Sequence, residues 1–397
     1  MPKQSHPDIK TWYLLGREPL LSAAELFSLL GVEPAISGPF AVVSGPADHE
    51  RIKRLGGTIK IAAEVAEKID ENELLDLIKK ELQNLEGKIE FGISLYGKNA
   101  LPQTVSDWGK MLKKELKSDG RSVRYVFKNA AALSSVSVEK NGLVVDGKEF
   151  LVVENNGQYS LALTAAVQPF EDFSERDYGR PGRDSESGML PPKLALMMYN
   201  LTGINKNDLF LDPFCGSGTL IAEAFLQGQK NLVGTDLSEK AIADTKENLG
   251  WISAKHPELS ADTKIEVCNV KELSARLAPR SVGAIATEPY LGMPLRGSES
   301  LADVEKQADE LRSLYLSAFS EFKKVLKPGA KVVFTIPQFF SKSTSIKISD
   351  RLVPELKKLG FLPSPLLPRS IHTGDFILYR RPGQHVGREI WRFILSG

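Results

Sequence analysis

Two short stretches hold side chains that could do chemistry together. In Leu209-Phe210-Leu211-Asp212-Pro213-Phe214-Cys215-Gly216-Ser217-Gly218-Thr219, an apolar run ends in a carboxylate and passes into a glycine-rich turn. Gly216 and Gly218 lack a Cβ, so the backbone there can bend tightly and let a ligand reach the amides. A helical pattern follows from Leu220 to Leu226, and Leu232 to Asp236 then reads as a second strand with an acid at its end. An acid in that place accepts hydrogen bonds from ribose hydroxyls in open α/β sheets. A dinucleotide fingerprint needs a third glycine at position 221, where Ile221 stands, so a pyrophosphate cradle is disfavoured. The second stretch, Thr287-Glu288-Pro289-Tyr290, joins a carboxylate, a backbone carbonyl and an aromatic ring. That set can stack on a planar base and accept hydrogen bonds from an exocyclic amine as positive charge grows on its nitrogen. Cys215 has no histidine beside it to activate the thiol and reads as a small apolar filler.

The elements around these stretches alternate strand and helix, the pattern of a doubly wound, mainly parallel α/β sheet. Further strands are expected at Ile265–Asn269, Ala284–Thr287, Lys331–Thr335 and, as the last, Asp375–Arg380, with helices over Glu239–Trp251 and Leu301–Leu326. Asp212, Asp236, Asn269 and Glu288 then all fall at carboxyl ends of strands, the rim where such sheets bind ligands. The basic, aromatic run around Tyr379-Arg380-Arg381 and Arg388 to Arg392 reads as a solvated tail. Before this domain, Thr11–Leu15 is expected as a strand, and Ser22 with Glu25 as a capping box opening a helix. Ile89 to Thr164 reads as a compact α/β module with a hairpin turning at Asn155-Asn156-Gly157 and basic residues at strand ends. The expected division is an N-terminal α/β subdomain over 1–65, a second small domain over 66–165, a linker over 166–188 and the large domain over 189–397.

A chain of 397 residues can build two or three full cores. Its net charge of +1 excludes a polycationic surface, so any nucleic-acid contact must come from local patches. Two cysteines in core segments suit a reducing, cytoplasmic setting, and no apolar run reaches the roughly 18–20 residues of a membrane span. The five histidines show no metal-ligand spacing, and no metal is expected.

Asp212 to Thr219 resembles the first motif of class I methyltransferases that use S-adenosylmethionine, in particular those that methylate exocyclic amines. Ile89 to Thr164 resembles, more weakly, a THUMP domain, and Arg176 to Leu196 resembles the segment before the first motif in THUMP-containing tRNA guanine-N2 methyltransferases. The resemblance implies a Rossmann-like methyltransferase domain behind an RNA-binding one, with tRNA as partner and the guanosine at position ten as target. Some members of that family need a small activating protein. It also implies the site. Asp212 would lie near the methionine ammonium, with Pro191, Pro213, Phe214, Gly216, Ser217, Gly218 and Thr219 around the cofactor. Asp236 would face the ribose and Asn269 the adenine, with Leu237 and Val270 also among the cofactor-binding residues. Thr287, Glu288, Pro289 and Tyr290 would be catalytic, and Arg121, Arg124, Lys128, Arg176, Arg180, Arg183 and Arg296 would meet RNA. The family pattern at the catalytic stretch is Asp or Asn, Pro, Pro, aromatic, and this chain departs from it with Glu288-Pro289-Tyr290. Another RNA or DNA amino-methyltransferase, or an RNA-binding relative without catalysis, therefore stays open.

Overall fold

The computed structural model describes residues 9–183, 189–340 and 345–396, so the end of the expected linker, residues 184–188, lies outside them. The chain forms two compact units, one of residues 1–23 and 32–172, the other of 24–31 and 173–397.

The first unit is built on eight strands: β1 (Lys10–Leu15), β2 (Ala35–Ser37), β3 (Phe40–Ser44), β4 (Thr58–Ile69), β5 (Ile89–Tyr96), β6 (Val123–Val126), β7 (Lys148–Asn155) and β8 (Gln158–Val167). They form one sheet in the order β2-β3-β1-β4-β8-β7-β5-β6. The expected boundary at 65/66 falls inside β4, which pairs with β1 on one side and β8 on the other, so both small regions share this sheet. The helices are α1 (Pro19–Leu30), α2 (Glu71–Gln83), α3 (Pro102–Ser118), α4 (Ser135–Lys140) and α5 (Phe170–Ser174). α1 begins at Pro19, ahead of the expected Ser22 cap, because proline's fixed φ suits a first helical position. Ser22 instead donates from inside the helix to the Glu18 carbonyl at 2.8 Å. The capping box lies on α2, where Asp70 and Glu73 satisfy each other's amides. The hairpin forms as expected: Asn155 pairs with Gln158, and Asn156 and Gly157 take φ of 51° and 79°, as a two-residue primed turn requires.

The second unit contains α6 (Pro192–Thr202), β9 (Leu209–Asp212), α7 (Thr219–Leu226), β10 (Asn231–Asp236), α8 (Glu239–Lys255), β11 (Asp262–Val267), β12 (Val282–Thr287), α9 (Leu301–Val325) and β13 (Leu326–Phe340). β14 (Ser345–Lys347), α10 (Ser349–Leu359), β15 (Phe361–Pro363), β16 (Phe376–Tyr379) and β17 (Val386–Leu395) complete it. The main path of the sheet is β11-β10-β9-β12-β13-β17-β15, parallel from β11 to β13. β17 runs antiparallel between β13 and β15. The segment expected as a solvated tail is therefore an interior strand: Glu389, Ile390 and Phe393 are 0% exposed. Its ladders with β13, β15 and β16 and the stacking of Trp391 and Phe393 on the α9 side of the core outweigh the charges that disguise it.

Candidate active site

The glycine turn grows out of β9. Gly216 and Gly218 have φ of 53° and 83°, and a Cβ on Gly218 would come within 2.7 Å of Thr245, so these positions need glycine. The turn is fixed from the next strand: the Gly216 amide donates to Asp236 Oδ2 at 3.0 Å, and the Cys215 amide to the Thr235 carbonyl at 2.9 Å. Asp236 Oδ1 also accepts the Ser238 amide at 2.9 Å. Asn248 on α8 donates to the Ser217 carbonyl at 2.8 Å, and Thr245 to the Gly216 carbonyl at 2.7 Å. Leu237 beside Asp236 is 71% exposed, whereas Val270 is buried. Asn269 caps the turn after β11 by accepting the Lys271 amide at 3.1 Å. Cys215 is buried, and that burial pushes its thiol up, which suits a filler and not a nucleophile.

Asp212, at the end of β9, is 2% exposed. Burial pushes its carboxyl up to about 7; hydrogen bonds from Thr287 and the Phe214 amide oppose this, and the charges of Asp236 and Glu288 add to it. The Thr287 hydroxyl donates to Asp212 Oδ1 at 2.6 Å, joining the cofactor-side strand end to the base-side one. Two further contacts hold Thr287-Glu288-Pro289-Tyr290. The Tyr315 hydroxyl on α9, fully buried, donates to the Tyr290 carbonyl at 2.6 Å. Arg388 on β17 donates from Nε to Glu288 Oε2 at 2.5 Å and from Nη2 to Oε1 at 3.2 Å. The Tyr290 ring is 54% exposed. Sequence reasoning missed both Tyr315 and Arg388. Tyr315 sits on the buried stripe Leu311, Tyr315, Phe319, Phe322 of α9, and Arg388 opens the apolar run Ile390 to Leu395.

The arginines expected to meet RNA divide. Arg121 donates to the carbonyls of Gln83, Leu85 and Gly87, and Arg124 to Glu90 and Asn141. Arg176 pairs with the buried Glu223 at 2.6 Å and lies over the Phe173 ring. Arg180 is 5% exposed and donates from Nη1 to Thr219 at 2.5 Å and from Nη2 to the Met189 sulfur, while its buried Nε has no partner among the described residues. It therefore faces the first turn of α7 and not solvent. Lys128, Arg183 and Arg296 are exposed, with the Arg296 amide tied to Glu299. Pro191 caps α6, and Pro213, Ser217 and Thr219 are buried beneath the turn, with Phe214 half-buried.

Residues 180–347 match the family described as UPF0020, RMKL-like, methyltransferase domain. A tRNA (guanine(10)-N2)-dimethyltransferase of Methanothermobacter thermautotrophicus is 31% identical over 219 residues, 54% of this chain and 59% of that protein. One of Methanocaldococcus jannaschii is 30% identical over 172 residues, 42% of this chain and 44% of that protein. The matched stretch thus spans about half the length of these relatives. Among solved structures, TrmN from Thermus thermophilus superposes with a TM-score of 0.53 at 16% identity, covering 98% of this chain and 99% of that one. That likeness shows the fold.

Proposed function

We propose, for a chain that carries an RMKL-like methyltransferase domain, that it transfers a methyl group from S-adenosylmethionine to the exocyclic N2 amine of a guanosine in tRNA. The observation that carries this reading is the Asp212–Thr287 hydrogen bond. It joins a glycine turn suited to a nucleoside with a turn suited to a base, so two reactants seated there meet.

The residues present fit the cofactor. Asp212, Asp236 and Glu288 put three carboxyl groups on one rim, where burial first and the neighbouring charges after it raise Asp212, and among the described residues Arg388 forms an ion pair with Glu288. A ligand of net positive charge relieves that crowding. The buried Nε of Arg180 beside Thr219, without a partner among the described residues, suits the ligand's carboxylate, and exposed Leu237 suits the face of its adenine. When bound, S-adenosylmethionine supplies a methyl carbon on a sulfonium. The protein's own part is positioning and electrostatics, since the guanine amine is a poor nucleophile whose lone pair is drawn into the ring. Tyr290 stacks on the base, and Glu288 with the Pro289 carbonyl receives the amine N–H groups. Pro289 is buried, and no donor reaches its carbonyl among the described residues.

For the RNA partner, the support comes from α3. Lys110, Lys113, Lys114 and Lys117 recur at steps of three, four and seven residues, which places them on one helix face. None of the four has an ion pair among the described residues, and the acid between them, Glu115, is taken by Lys79. A lysine stripe of this kind suits phosphates in a way that Arg121 and Arg124, already bonded within the protein, do not. No helix among the described residues is long and apolar enough to cross a membrane, and a cytoplasmic setting is part of the proposal.

The test is incubation with methyl-labelled cofactor and unmodified tRNA, then digestion to nucleosides. Label in N2-methylguanosine is expected. Label confined to adenosine or cytidine products, or absent from tRNA altogether, would overturn the reading.

A further inference from the structure

We propose that Arg388 is a positioning residue for methyl transfer: by gripping both carboxylate oxygens of Glu288, it holds the amine-accepting turn in its working geometry. This rests on the function proposed above. The grip has two points, Nε to Oε2 at 2.5 Å and Nη2 to Oε1 at 3.2 Å, which is the fork that fixes orientation as well as charge. Both partners are screened from water, with side chains 18% and 14% exposed. The two residues come from different parts of the sheet: Glu288 follows β12, and Arg388 sits on β17, opposite Pro337 of β13 and Tyr379 of β16.

The extra methylene of glutamate makes such an anchor necessary. A glutamate carboxylate swings on two rotatable carbons, and the turn behind it has a single proline where the related pattern has two. Thr287 and the Tyr290 carbonyl are pinned from β9 and α9, so without Arg388 the side chain between those pins would be the free element of the turn. Each Glu288 oxygen keeps a lone pair after accepting its one arginine N–H, so the clamped carboxylate can still accept a hydrogen bond from the amine. Arg388 thus acts through Glu288 and touches neither reactant.

The opposite arrangement makes the opposite prediction. If Glu288 worked as a free charge that Arg388 merely neutralised, then removing Arg388 would leave transfer unchanged or faster. Single-turnover transfer to tRNA at saturating cofactor decides between them, with Arg388→Gln, Arg388→Lys, Glu288→Gln and the Arg388→Gln/Glu288→Gln double variant. Arg388→Gln is expected to slow turnover on the order of 100-fold, the scale of a misplaced catalytic group, with KM for tRNA nearly unchanged. Arg388→Lys, which keeps the charge but not the fork, recovers part of that loss. The double variant is no slower than the worse single one, because the pair works as a unit. Binding of S-adenosylhomocysteine by calorimetry, unchanged in all four, shows that each is folded. A rate for Arg388→Gln at or above the parent's, losses that multiply in the double variant, or a raised KM with turnover kept would each overturn the proposal. A parent that methylates no tRNA is a different result, and it sinks the proposed function itself.

Discussion

Asp212 couples the site to pH. A carboxyl held near 7, against an ordinary 3.8, binds its proton more tightly in the folded chain than in the unfolded one. Its stabilising contribution is therefore complete below about pH 4 and is lost as pH rises through about 7. Asp212→Asn should flatten that decline, and urea unfolding of parent and variant at pH 5 and pH 8 checks it. Equal slopes would mean that Asp212 is already ionised at pH 5. Its partner has a separate effect. Thr287→Val removes the donor at 2.6 Å from a carboxyl that water does not reach, which should cost about 1–3 kcal/mol in unfolding free energy. Arg176 gives the largest expected loss of stability, because Glu223 opposite it is 1% exposed. Arg176→Ala leaves that carboxylate buried without its cation, at a cost on the order of 3–5 kcal/mol. Where Arg176→Ala stays folded, tRNA affinity should be close to the parent's; a steep loss of affinity with full stability would return Arg176 to the RNA surface.

At the scale of elements, α3 presents cations and β17 hides them. Converting Lys110, Lys113, Lys114 and Lys117 to Gln should lower the slope of log affinity for tRNA against log salt by about 3, since each phosphate contact contributes roughly 0.7–0.9. Binding curves at several salt concentrations read this directly, and an unchanged slope would make the stripe a solvated face. What was legible follows the same division. β9 and β10 announced themselves by apolar runs ending in acids, β12 by one that runs into Glu288, and the hairpin by Asn156-Gly157, because local chemistry alone decides those features. β17 stayed hidden because Arg388 and Arg392 belong to pairings with residues distant in sequence, while Glu389 is buried as the acceptor of the Trp391 indole N–H two residues on. The same holds for Lys60 and Glu149, 1% and 0% exposed, whose 2.5 Å pair is completed by Ser94 and Thr164. A lysine inside a strand pattern gives no sign that a carboxylate 89 residues later will meet it.

For the molecule as a whole, the apparent linker is a poor place to cut. The second unit includes residues 24–31, and within it Asn200 on α6 donates to Glu25 at 2.7 Å. A fragment that starts at Phe173 lacks that stretch and should melt below the full chain's second transition; identical melting would show the stretch to be dispensable. The site itself was readable as a set of strand ends, since parallel topology alone gathers Asp212, Asp236 and Thr287 on one rim. The clamp on Glu288 has a further consequence, for descent with modification. Its two partners lie 100 residues apart in the chain yet share one function, so neither can change alone without passing through a crippled intermediate. Lineages that carry the Asp-Pro or Asn-Pro form of the turn, with a shorter acid or amide and a stiffer backbone, are released from that bond. Their position 388 should drift freely, whereas lineages with Glu-Pro keep arginine there. Ancestors along such a family tree would then have exchanged both residues on the same branch.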